Sequence, residues 1–168
     1  MMALGGCASA VVRGGVGYDA GTLAVSGVET GVGGQGEVVG YSGAAGTGFG
    51  LGPALELAGY STAGDADPIA FTTVEARYRR ARSVGPAGAY WELGSGLGVA
   101  WSPGIQRAAV PIQGEVGVQT ALGGALLAVG VRERFLGLVG TGSPPLDAFN
   151  SVQLVVGLGL GGRGSGKR

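Results

Sequence analysis

The chain has 168 residues, one domain's worth, with hydrophobic residues at 45% and charged residues at 13%, about half the charged share of a soluble globular protein. Its 11 basic and 11 acidic residues cancel, and no run of Lys or Arg is interleaved with aromatics, which excludes the electrostatic footprint of nucleic-acid binding. The 39 glycines follow no collagen period and alternate with apolar residues, so they belong to strands; with no stretch of roughly 18 to 20 apolar residues for a membrane helix, a bilayer can be crossed only by a closed barrel.

At the N-terminus, Leu4-Gly5-Gly6-Cys7-Ala8-Ser9 is similar to a bacterial lipobox, the small-residue site where a leader is cleaved and its cysteine acylated. Two readings stand: lipid attachment at Cys7, or the end of a trimmed export leader. Either way residues 1–9 precede the domain, the barrel is expected over residues 10–162, and residues 163–168 are expected as a disordered tail.

Glycine is so dense in the next stretch that register is weakly specified. Val11 to Tyr18 and Thr22 to Val32 are predicted as a hairpin closed by Asp19-Ala20-Gly21, with Glu37 to Tyr41 either a third strand or the continuation of the second. Two-residue alternation then marks six segments: Phe49 to Thr62, Ile69 to Arg82, Ala89 to Trp101, Ala109 to Ala121, Ala125 to Val139 and Ser151 to Gly161. Longer loops are expected at Ala63 to Pro68, Ser102 to Ala108 and Gly140 to Asn150, and tighter turns at Ser83 to Gly88 and Leu122 to Gly124. The total is eight strands in an all-β, antiparallel, up-and-down barrel.

Each strand has two unlike faces. From Ala89 to Trp101 one parity reads Trp91, Leu93, Ser95, Leu97, Val99 and Trp101, and the other Tyr90, Glu92, Gly94, Gly96, Gly98 and Ala100. Ten residues at about 3.3 Å, tilted by about 40°, project to roughly 25 Å, the height of an apolar band between two aromatic girdles. Trp91 and Trp101 are therefore candidate girdle residues. The Gly-rich parity carries Arg13, Glu56, Glu75, Arg77, Arg79, Glu92, Glu115 and Arg132, four charges of each sign, with Gln113, Gln119 and Gln153 beside them. Enclosed in a narrow lumen they must pair, because an unpaired buried charge is costly. Arg80 and Arg82 take the outer parity, at the level of lipid headgroups. The rival arrangement is a soluble barrel with an apolar inside, as in lipocalin-like carriers. Against it, Gly and Ala with isolated charges make a poor solubilising surface, and Trp at both ends of an apolar column suits two interfaces.

In this pattern the chain resembles the small eight-stranded bacterial outer-membrane barrels of the OmpA/OmpX type, over Val11 to Gly161. The stretch Val152-Gln153-Leu154-Val155-Val156-Gly157-Leu158-Gly159-Leu160 looks like their C-terminal assembly signal, though no terminal aromatic follows. The resemblance implies a bacterial outer-membrane location, with the lipid bilayer and the outer-membrane assembly machinery as partners. It also implies a structural or surface-interaction role, with the lumen plugged by a Glu/Arg network. The alternatives are a narrow solute channel and a soluble or lipid-anchored lipocalin-like carrier of small ligands. Outer-membrane enzymes that resemble this chain in outline rely on a His, and the chain has none. No enzymatic role, cofactor or metal site is expected: a two-carboxylate glycosidase would need Glu56, Glu92 or Glu115 on an open cleft, and Asp65 and Asp67 read as turn formers.

Overall fold

The structure, a computed structural model, describes residues 9–23, 27–43, 46–60, 68–84, 87–102, 105–122, 125–139 and 146–161. Eight strands form one closed antiparallel barrel in chain order. They are β1 (Ser9–Leu23), β2 (Gly27–Tyr41), β3 (Gly48–Tyr60), β4 (Pro68–Val84), β5 (Ala87–Ser102), β6 (Ile105–Leu122), β7 (Ala125–Val139) and β8 (Leu146–Gly161). β8 closes on β1, pairing Gly161 with Ser9. Closure leaves no sheet edge, the condition for crossing a bilayer with strands.

The stagger follows from the pairing. From Ala10 the partners run through Gly40, Leu51, Ala76, Ser95, Ile112, Phe135 and Asn150 and return to the first strand at Ala20, ten residues further on. Eight strands with that shear tilt by about 40°. Such a barrel has room inside for packed side chains and for nothing wider.

Several sequence expectations need correction. Asp19-Ala20-Gly21 is not a turn: these residues pair with Gly31, Thr30 and Glu29 inside the β1–β2 ladder. Residues that favour turns in isolation are held extended here by pairing on both sides. Of the two readings open for Glu37 to Tyr41, the continuation of the second strand is the one found, as the end of β2. Ser102 to Ala108 is not a long loop, because β5 runs to Ser102 and β6 starts at Ile105; likewise Leu146 to Asn150 belongs to β8. Cys7, Asp65, Asp67 and residues 163–168 lie outside the described residues.

The faces are inverted relative to a soluble barrel. Val12, Leu51, Leu55, Val74, Leu93, Leu97, Ile112, Val131, Leu154 and Leu158 point outward and are exposed, while arginines, glutamates and glutamines fill the interior. An apolar wall around a polar interior is the arrangement of a transmembrane β-barrel. It also removes the apolar cavity that a lipocalin-like carrier would need.

Candidate functional site: the charged lumen

The interior is layered along the barrel axis. At the end where Ser9 pairs with Gly161, Val11, Val39 and Tyr41 form a fully buried cluster. The β2–β3 connection is tied there: Ser9 Oγ donates to the Gly43 carbonyl at 2.6 Å and accepts from the Gly46 N–H at 2.9 Å. Gly46 has φ 67°, a left-handed conformation that a side chain would strain. At the other end Ile69, Phe71, Ala100, Ala109, Leu136 and Phe149 form a second apolar layer, with the Phe71 and Phe149 rings 5.1 Å apart.

Between these layers lies an ionic one. Glu37 is its hub, meeting Arg132 at 2.6 Å, Arg13 at 3.5 Å, and Arg77 through both of its terminal nitrogens. Arg13 also reaches Glu92 at 2.6 Å and Glu115 at 3.1 Å, and Arg132 meets Glu115 at 2.6 Å. A second group joins it through Glu75, which pairs with Arg77 at 2.7 Å and Arg134 at 2.8 Å; Arg134 in turn meets Glu56 at 3.0 Å. Neutral donors fill remaining acceptor sites: Tyr41 on Glu92, Tyr90 on Glu115, Gln35 on Glu37, Thr73 on Glu75 and Gln153 on Glu56. Glu37, Glu75, Glu92 and Glu115 thus each accept several charge-assisted bonds in a buried setting, where such bonds are strong.

The glycines make this possible. A Cβ at Gly94 would lie 2.9 Å from Arg77 Cγ and 3.3 Å from Gln113, so the missing side chain is the space the arginine stem occupies.

All eight charges expected inward, Arg13, Glu56, Glu75, Arg77, Arg79, Glu92, Glu115 and Arg132, are buried. Seven of them join the ion-pair lattice. Arg79 stands apart, donating to Gln119 at 2.8 Å with its guanidinium 3.7 Å from the Tyr90 ring centre. Glu37, Arg107 and Arg134 are buried as well, so the described lumen holds more than four charges of each sign. Arg134 shares the parity of Arg132 and was readable from it. Glu37 was hidden by the unassigned register of β2, although Arg13 and Glu37 sit opposite each other about the 24–26 connection.

Outside, Trp91 and Trp101 are exposed on the lipid-facing parity. Trp91 packs against Tyr78 with rings 5.7 Å apart, and Tyr78 against Phe49 at 5.1 Å, an aromatic belt of the kind that marks a membrane interface. Arg80 and Arg82 also face outward, on the short-turn side of Trp91, to which Arg80 is paired.

Fold and faces together define a transmembrane β-barrel with a filled lumen. No protein-family model and no curated protein matches the chain. Among solved structures it is similar to Neisserial surface protein A (NspA), with a TM-score of 0.63 at 14% identity over 90% of this chain and 96% of that one. It is also similar to Ail, the attachment invasion locus protein of Yersinia pestis (TM-score 0.49, 10% identity, 90% and 98% covered), and to the N-terminal β-barrel domain of Pseudomonas aeruginosa OprF (0.43, 13%, 92% and 98%). The likeness to NspA is one of fold.

Proposed function

We propose that the chain is an integral barrel of the bacterial outer membrane, sealed along its axis, whose role is structural or carried by its exposed rims. The observation that supports this reading is Glu37 gripped by Arg13, Arg77 and Arg132, which reach it from β1, β4 and β7. The cross-braced lattice lies between two apolar layers and fills the lumen where they leave it. The reading assigns the chain no catalytic step. The described lumen carboxylates are engaged by arginines, and without a His the usual proton shuttle at neutral pH is missing.

The narrow-channel alternative requires the lattice to break while both apolar layers part. The test is to reconstitute the refolded full chain, with heat-modifiable gel mobility as the check on folding, and to record from planar bilayers. A silent bilayer with the folded barrel inserted is the expected result. Steady ion conductance that changes on replacing Arg77 and Arg132 by Ala overturns the sealed reading.

A further inference from the structure

Of the described arginines only Arg80 and Arg82, on β4, point outward; the rest are buried in the lumen. Two positions apart on one face, they stand about 7 Å from each other along the strand. No hydrogen bond or ion pair engages either of them among the described residues. Elsewhere at this end the wall presents apolar side chains, with Phe49 on β3, Val118 on β6 and Leu160 on β8 all exposed. General attraction to a membrane surface is served by cations spread round the rim, whereas here the charge is gathered at one point of the circumference.

The surface beside that point is shaped. Arg80 is paired to Trp91 and Arg82 to Ala89 on β5, and Ala89 in turn to Val118 on β6. The small side chain between an arginine and a valine leaves a groove of about 920 Å³, with Arg80 and Arg82 along one side, Val116 and Val118 along the other, and Trp91 at its membrane-ward end. Beyond Trp91 the wall continues apolar, through exposed Leu93 and Ile112. Guanidinium forks grip phosphate oxygens two at a time, and their long stems reach from the edge of the apolar band to the headgroup level. Trp91 lies at that boundary, where an indole is favoured. A cationic mouth in line with an apolar trough matches a molecule with a phosphate at one end and an acyl chain at the other.

What covers this face follows from the location: a barrel in a bacterial outer membrane has lipid against its wall. We infer that the groove across β5 is a binding site for one acidic phospholipid, its phosphate held by Arg80 and Arg82 and an acyl chain laid over Ala89 and past Trp91. Such a site requires a barrel in a bilayer but not a sealed lumen, so lipid selectivity and conductance can fail separately.

The experiment uses Trp91 as its reporter, in a W101F background that leaves it the single indole. The full chain is refolded into phosphatidylcholine vesicles, with heat-modifiable mobility as the check on folding. It is then titrated with chain-brominated phosphatidylglycerol or chain-brominated phosphatidylcholine, and the quenching of Trp91 by the two is compared. A preference for the acidic lipid on the order of ten-fold is expected, falling by about five-fold in folded R80Q and in folded R82Q. A89L keeps both charges but fills the groove, and is expected to lose the preference as well. Equal quenching by the two lipids, an unchanged preference in R80Q and R82Q, or a full preference in folded A89L, the mark of surface charge alone, overturns the inference. So does displacement of the acidic lipid by excess inorganic phosphate, which would make this a site for the free anion.

Discussion

Glu92 and Glu115 lie directly opposite each other across β5 and β6, two like charges on one inward face, and Arg13 from β1 reaches both, at 2.6 Å and 3.1 Å. Like charges so placed repel. The guanidinium turns the repulsion into a bridge, and strands that are not neighbours become tied through the lumen.

Replacing Arg13 by Gln should therefore cost more than one lost ion pair. It leaves two adjacent buried carboxylates with Arg132 and Arg77 as their remaining cations, a loss of about 3–5 kcal/mol for a buried network broken on one side. Urea unfolding in detergent micelles, followed by the fluorescence of Trp91 and Trp101, should show the lowered midpoint.

The two acidic positions Glu37 and Glu56 should rank in a fixed order. E37Q strips three arginines of a shared partner, whereas Glu56 meets Arg134 alone. E37Q is expected to be the more destabilising by about 2 kcal/mol in the same unfolding experiment; equal costs would remove Glu37 from its place as hub.

Glycines should divide by face. A Cβ at Gly52 would run into the Val38 carbonyl, while at Gly36, which points outward, nothing lies within 4 Å. G52A is expected to lose about 2–3 kcal/mol or fail to fold, and G36A to be neutral or gain up to about 1 kcal/mol. Refolding yield measured by heat-modifiable mobility separates the two.

Because the ion pairs are enclosed, added salt should barely touch them. Raising ionic strength from about 0.05 M to about 1 M shortens screening from over 10 Å to about 3 Å in water, yet water is the medium the lattice excludes. The unfolding midpoint is expected to stay level across that range, where a solvent-filled lumen would show a clear fall.

Much of this was legible in the chain. From Trp91 to Trp101 every other residue except Ser95 is bulky and apolar, and that alternation alone decides which side Glu92 takes. The reading failed where glycine removes contrast. Between Gly14 and Gly36 glycines thin the contrast, leaving Val16, Tyr18 and Val32 as widely spaced marks of the outward parity, and Asp19-Ala20-Gly21 was free to look like a turn. Only pairing with β2 and β8 fixes it as strand. Glu37 was lost with that register, and with it the hub of the lattice.

The seam between β1 and β8 joins Ser9 to Gly161, nearly the full length of the chain. Arg13 belongs to the first strand, and its partners Glu37, Glu92 and Glu115 are spread over β2, β5 and β6. Arg132 and Glu115 meet from paired strands, but Arg13 reaches Glu92 and Glu115 only across the lumen of a curled sheet. The cross-lumen ties of the first strand are thus ties of a shut ring, and they belong to the closed shape rather than to any single hairpin.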